Sequence, residues 1–233
     1  MKNTQNRMTA EKIEAISKAC RINDRIFSGI VEKAKAGKFG TEKDIAKFVD
    51  SEIKKAGCRN AFPTIVAAGK NAVDWHHRPT ETKLANCGFC VIDFGARVNG
   101  YCSDMTRTVY FGKASKDGKK LYEKVLKAST ECIQMAKDGA DGGKIYMHAR
   151  KVLGGHAKYF GHGLGHGLKK IIHAKPRLRK KNSHLLKKGD IITIEPGIYI
   201  PKKLGIRIED DVLVERNWHR VLSRSTKKLV EIK

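Results

Sequence analysis

Four carboxylates lie inside stretches of otherwise apolar, strand-like sequence: Asp93 in VIDFG, Asp104 in YCSDMTRT, Glu195 in ITIEPGIY and Glu209 in IRIEDDVLV. A carboxylate buried without a partner is strongly disfavoured, so four such acids demand cations or donors. Between the strand-like stretches 90–95 and 101–111 stands Asn99-Gly100, a strong signal for a two-residue hairpin turn. That turn pairs Val98 with Tyr101 and Gly95 with Asp104. Asp93 and Asp104 then become diagonal neighbours on one face, with Cα atoms about 7–8 Å apart. Carboxylates reaching inward from there suit cations ~3.5–4 Å apart, the spacing of two-metal hydrolytic sites. Gly95 is expected to clear space beside them. The loop YFGHGLGHGLKKIIH adds His162, His166 and His173. Four carboxylates with imidazole form a hard, oxygen-rich set that suits Mn, Co, Fe(II) or Zn better than a thiolate zinc site. CGFC at 87–90 has no second cysteine pair and enters a strand, so it reads as core packing.

Helices and strands must position these groups. Ile13, Ile16, Cys20, Ile26, Phe27, Ile30 and Val31 recur at helical spacing and predict a helix over 10–36. A second runs from Thr41, a good N-cap with Glu42 and Asp44 in the first turn, to about Ala56. Strands are expected at 62–68, 90–95, 101–111, 190–199 and 205–215, with short ones near the C-terminus. Helices return at about 117–137 and 143–153, and 161–167 reads as a loop. Each half gives helices followed by strands that carry two acids. The pattern predicts one α+β unit with an internal pseudo-duplication: a tail over 1–9 and a single domain over 10–233.

The chain has 233 residues, 40% apolar and 31% charged. That is enough for a real core and too apolar for disorder. No apolar run approaches the ~18 residues of a membrane span. The N-terminus, MKNTQNRMTAEK, lacks the apolar core of a signal peptide, so a cytoplasmic location is expected. In a reducing compartment the six cysteines read as small core residues.

Taken together, Asp93 and Asp104, GHGLGHG, TIEPGIY and GIRIEDD resemble the landmarks of the creatinase/methionine-aminopeptidase superfamily, the "pita-bread" metallopeptidases, from about residue 10 to 233. FPTIVAAG, HHRPT, DFGARVNGYCSDMTRT and EPGIYIP favour its Xaa-Pro branch of aminopeptidases and dipeptidases (prolidases). The resemblance implies a pseudo-two-fold fold with an antiparallel curved sheet and flanking helices. It implies Asp93, Asp104, His166, Glu195 and Glu209 as ligands of two divalent ions, Mn or Co first, Zn or Fe(II) next. Arg207 would orient a carboxylate behind them. Glu195 would also shuttle a proton to the leaving nitrogen. His173 would stabilise the tetrahedral intermediate, His76 would position substrate, and His162 would be the outer active-site histidine. The implied activity is removal of the N-terminal residue of short Xaa-Pro peptides by a metal-bridging hydroxide. The branch usually carries an N-terminal domain of one hundred-odd residues; none is expected from these residues, so a monomer and a homodimer are both open. Trp75 stands before His76 where the family often has proline, and Ala174 follows His173 where it usually has Glu.

Two other readings stay open. One is methionine aminopeptidase. The other is a pita-bread fold that binds RNA or the ribosome, supported by a formal charge of +24. Between Asp141 and Asp190 there are 13 Lys+Arg and no acid. Of 48 basic residues 34 are Lys, which fits proteome bias better than Arg-rich recognition, so nucleic acid is the secondary partner. The excess is expected to make a positive approach to the site through Lys180, Lys181, Lys187 and Lys188, favouring peptides with a free or nearby carboxylate.

Overall fold

A computed structural model describes residues 9–181 and 183–233. The predicted N-terminal tail, Thr9 apart, lies outside the described residues. Helix α1 spans Ala10–Lys35 and buries Ile16, Ala19, Ile22, Ile26 and Ile30 along one face. Thr41 caps α2, Glu42–Lys55, in a reciprocal capping box with Asp44, as its sequence predicts. The other two helices are α3, Lys116–Gln134, capped by Ser115, and α4, Gly142–Leu153, capped by Asp141.

The strands of the first half are β1 Arg59–Asn60, β2 Ile65–Ala68, β3 Gly88–Phe94, β4 Ala96–Val98, β5 Tyr101–Cys102 and β6 Met105–Phe111. Those of the second are β7 Gly165–Gly167, β8 Ala174–Leu178, β9 Ile191–Ile194, β10 Gly197–Ile200, β11 Leu204–Arg207, β12 Asp210–Val214, β13 His219–Val221 and β14 Glu231–Ile232. One sheet runs β14-β6-β3-β2 and packs with α1 and α2 around Ile45, Ile92 and Phe94. The other runs β13-β12-β9-β7-β8 and packs with α3 and α4 around Val125, Ile194 and Val212. Pairing is antiparallel except where β14 joins β6. A third cluster (Ile16 and Cys20 of α1 with Leu168, Ile191 and Leu213) seals one half to the other. Among the described residues no helix is long and apolar enough to cross a membrane.

The hairpin has the predicted register. Asn99 and Gly100 both have positive φ, and Val98 pairs with Tyr101. Asp93 faces Thr106, which leaves Asp104 two residues away on the diagonal. Gly95, however, does not clear room for the acids. A Cβ there would strike the Ser103 carbonyl and come within 3.0 Å of the Phe62 ring.

Three expected strands are broken. Residues 101–111 split at Ser103-Asp104, 190–199 at Glu195-Pro196 and 205–215 at Ile208-Glu209. At each break the chain changes sheet: β5 pairs with β4 but β6 with β3, and β9 belongs to the five-stranded sheet while β10 pairs only with β11. Pro196 has no N–H with which to continue a ladder. Three of the four inward acids therefore sit at crossings between sheets rather than within strands.

The expected loop at 161–167 contains β7, hidden by its three-residue length. Gly165 and Gly167 let it lie against its neighbours: Cβ atoms there would fall on the carbonyls of Thr193 and Lys175. All six cysteines are free. Cys20, Cys90, Cys102 and Cys132 are core residues as expected, but Cys58 and Cys87 are half-buried. Burial pushes the Cys87 thiol up to about 11, so it stays a thiol at neutral pH.

Candidate metal centre

The sheet crossings bring the predicted acids to one cavity of about 570 Å³. Asp93, Asp104, His166, Glu195 and Glu209 all line it, with Arg207, His162, His76 and His173. Asp104, His166 and Glu209 each offer a donor atom, all within 4.8 Å of one another. His166 Nε2 lies 3.7 Å from Asp104 Oδ2 and 3.5 Å from Glu195 Oε1. His166 Nδ1 faces the Gly167 carbonyl at 3.3 Å and must donate to it, which leaves the Nε2 lone pair for the acids. Asp93 stands slightly apart. Its Oδ2 accepts from Arg207 at 2.6 Å, while its Oδ1 is buried without a hydrogen-bond partner.

Second contacts fix these carboxylates. Thr106 donates to Glu209 Oε2 at 2.6 Å and accepts from Arg207 Nε at 3.0 Å. Thr193 accepts from the His166 N–H at 3.1 Å and donates to Glu195 Oε1 at 3.3 Å. From Arg207 a directed chain leads outward. Arg207 donates to Tyr199 Oη at 2.9 Å, and Tyr199 lies 2.7 Å from His162 Nε2. His162 Nδ1 donates to the Gly163 carbonyl at 2.7 Å, so its Nε2 accepts the tyrosine proton.

Electrostatics follow from crowding. Burial, then Glu209 and Asp93, push Asp104 well above the usual carboxylate range. Burial, then Glu195 and Asp93, do the same to Glu209. Burial lifts Glu195 to about 7 against the pull of Arg207. Burial and then Arg207 lower His162 to about 3, while burial and then His173 lower His166 to about 4. Both rings are therefore neutral near pH 7. His173 is lowered too, by burial and then by His76. A divalent cation meets every one of these demands: it neutralises crowded acids, engages the orphaned Asp93 Oδ1 and accepts the His166 lone pair. The residues fit the group.

The crowding gives a sign for stability against pH. Glu195, at about 7, and Asp211, raised to about 8 by burial against the Asp104 N–H bond, hold protons in the folded state that the unfolded chain has lost. His162 and His166, with lowered values, act the opposite way, but only below about pH 6.5, where the unfolded imidazole charges. Between about pH 6.5 and 8 the raised acids therefore decide. Each proton that the folded state holds and the unfolded chain does not costs up to ~1.4 kcal/mol of stability per pH unit. Chelator-treated protein should melt at falling temperature as pH rises across this window. With Mn present the trend should flatten or reverse, because deprotonation favours ligation. Differential scanning calorimetry at matched ionic strength tests it, and a chelated protein that gains stability over the window contradicts it.

Several contributors carried no signal of their own in the sequence. Asp211 accepts the Asp104 N–H at 3.0 Å and the Cys20 thiol at 3.1 Å, tying α1 to the site. Tyr199 and Asp211 do lie inside EPGIY and IEDD, so a search of motif neighbours could have raised them. Trp75 lies over Gly161 and against the rings of His162 and Tyr199, with centroids 5.1 and 5.7 Å away. Within the cavity wall itself the positive charge comes from arginines. Arg78, Arg177 and Arg179 line the cavity, not Lys180, Lys181, Lys187 or Lys188. Arg177 belongs to β8 and Arg179 follows directly after it, whereas these lysines lie further along the chain.

Known proteins resemble this chain in sequence and fold. Residues 14–216 match the model of metallopeptidase family M24. An uncharacterized peptidase of Staphylococcus haemolyticus is 38% identical over 97% of this chain and 65% of its own. A Xaa-Pro dipeptidase of Pyrococcus furiosus is 37% identical over 95% of this chain and 64% of its own. The crystal structure of X-Pro aminopeptidase from Thermotoga maritima superposes with a TM-score of 0.91 at 33% identity, over 97% of this chain and 64% of that one. The chain thus spans 64–65% of the length of these relatives.

Proposed function

The chain belongs to metallopeptidase family M24 and has the pita-bread fold, and from that premise we propose that it is an exopeptidase cutting the N-terminal residue from short Xaa-Pro peptides. Residues 10–233 act as its single catalytic domain. The observation that carries this reading is the convergence of three buried carboxylates with the half-buried His166 and Glu195 on a cavity also lined by His76, His162 and His173. Asp93, Asp104, His166, Glu195 and Glu209 would hold two divalent ions, of which Mn or Co suits the set. Such ions supply Lewis acidity to the scissile carbonyl and activate water for attack near neutral pH.

The side chains do the rest. Glu195, raised toward neutrality by burial, takes a proton from the attacking water. It passes that proton to the prolyl nitrogen as the C–N bond breaks, so no charged amide leaves. His173 sits edge-on to His166 with ring centroids 4.6 Å apart and donates toward the developing oxyanion. His76, which also lines the cavity, orients the peptide. Arg207 holds Asp93, and through Tyr199 keeps His162 in one tautomer. Arg177 and Arg179 face the incoming peptide and favour a nearby carboxylate.

Turnover of Ala-Pro, Xaa-Pro-Xaa and Met-Ala-Ser peptides, with added Mn or Co and with chelator, tests the reading. Metal-dependent release of the residue before proline is expected. Cleavage of the Met peptide alone would replace the proposal with methionine aminopeptidase.

A further inference from the structure

Glu42 occupies the first turn of α2, where an acid ordinarily stays in water and meets the helix dipole. Its side chain is fully buried instead. Five donors meet its carboxylate. Oε1 accepts the Ala68 N–H at 2.7 Å and Asn71 Nδ2 at 3.0 Å. Oε2 accepts the Thr80 N–H at 2.9 Å, the Thr80 hydroxyl at 2.8 Å and His77 Nε2 at 2.8 Å. Burial alone would raise this acid, but the bonds from Ala68, Asn71, His77 and Thr80 hold it below the usual value, so it stays an acceptor. His77 Nε2 must therefore carry the hydrogen.

The donors come from the end of β2, the short 3-10 turn Gly69–Val73 and the segment 74–80. That segment alternates. Trp75, His76 and Arg78 line the cavity, and His77 turns the other way to Glu42. Within the segment the remaining bonds are local, from His76 and His77 to Asp74. The Asp74 N–H also donates to the Asn71 carbonyl of the 3-10 turn at 3.1 Å, and Thr80 bonds Thr82; among the described residues, the segment's hydrogen bonds to any α-helix or strand run to Glu42 or to the Lys43 N–H, which donates to the Thr80 carbonyl at 3.2 Å. The adjacent histidines thus have opposite tasks.

We infer that Glu42 is a positioning residue: through His77 and Thr80 it sets where Trp75, His76 and Arg78 stand over the cavity, and so where the peptide is seated. The consequence for the peptide rests on the peptidase reading above; the consequence for Trp75 does not. Trp75 and Trp218 are the two tryptophans of the chain, so Trp218→Phe leaves Trp75 as a lone reporter. In that background Glu42→Gln turns one acceptor into a donor facing donors, His77→Ala removes one bond, and Thr80→Val removes another while keeping its N–H.

In Glu42→Gln and His77→Ala, Trp75 emission should shift to the red and acrylamide quenching should increase. KM for a proline peptide should rise about 10-fold, with kcat changing less and Mn affinity unchanged, since a small displacement of a positioning wall is magnified in binding. Thr80→Val should fall between these and the parent. If Glu42→Gln does not fold, His77→Ala and Thr80→Val carry the test, because each leaves the carboxylate in place. Unchanged Trp75 quenching and KM in the folded variants overturns the inference. A parent that cuts no proline peptide removes the peptidase reading, and Trp75 quenching then decides the positioning alone.

Discussion

Replacing His166 with alanine should lower proline-peptide turnover by about 10³-fold or more, the scale seen when a member of a concerted catalytic set is removed. The same variant should lose most of the rise in melting temperature that Mn gives the parent, because that rise measures binding to the folded state. The reason is geometric. His166 Nε2 is the neutral donor among acids, 3.5 Å from Glu195 and 3.7 Å from Asp104, and its Nδ1 is committed to a backbone carbonyl. No other described histidine can replace it. His162 spends Nε2 on Tyr199 and Nδ1 on Gly163. His173 is exposed and meets His166 only edge-on. Metal content per chain after dialysis, measured beside turnover, separates lost ligation from lost substrate binding. A variant that keeps both its metal and its turnover would show that the ring is structural.

Arg107→Met should destabilise the protein by about 3 kcal/mol or more, through a buried charge network just behind the site. Arg107 and Asp210 have side-chain exposures of 1% and 0%, and Arg107 Nη2 donates to Asp210 Oδ1 at 2.6 Å. The guanidinium also donates to the carbonyls of Ser225 at 3.0 Å and Thr226 at 3.1 Å, and to the carbonyl of Glu209. It therefore pins the C-terminal segment and the start of β12 to β6. In its absence Asp210 keeps, among the described residues, only Lys227, which is partly exposed, and four carbonyls, that of Thr106 at 2.9 Å included, lose a donor. A melting temperature lower by roughly 6–12 °C is expected for a chain of this size. The double variant Arg107→Met with Asp210→Leu should recover part of that loss, since it leaves no isolated buried acid. A double variant less stable than the single one would mean that the pair contributes more than mutual neutralisation.

The helices were legible because their signals are local. Thr41 and Asp44 form the capping box that their spacing announces, and the apolar stripe of α1 is the buried one. The hairpin register was legible because two residues with positive φ leave few alternatives. Strand ends were not. Residues 190–199 and 205–215 each read as one continuous strand-like stretch, and periodicity has no way to mark where a chain leaves one sheet for another. Glu195 and Glu209 stand at those crossings, so the sequence pointed to acids that line the cavity but placed them within strands. Gly95 was legible as a glycine with a task, but the task is close approach of the Ser103 carbonyl, an atom whose location depends on the folded hairpin.

By itself, then, the sequence singled out the side chains that the fold gathers at one cavity: four acids inside apolar stretches, a histidine loop among glycines, and motif spacings that one family shares. Tertiary structure decided how those side chains are held. Thr106 reaches Glu209 across 103 residues, Arg207 reaches Asp93 across 114, and Cys20 reaches Asp211 across 191. Likewise only the fold turns His77 toward Glu42 while its neighbour His76 faces the cavity. The physical reason is range. Residue type, capping and turn geometry act within a few positions, whereas the orientation of a buried carboxylate is fixed by donors that arrive only when distant strands close around it.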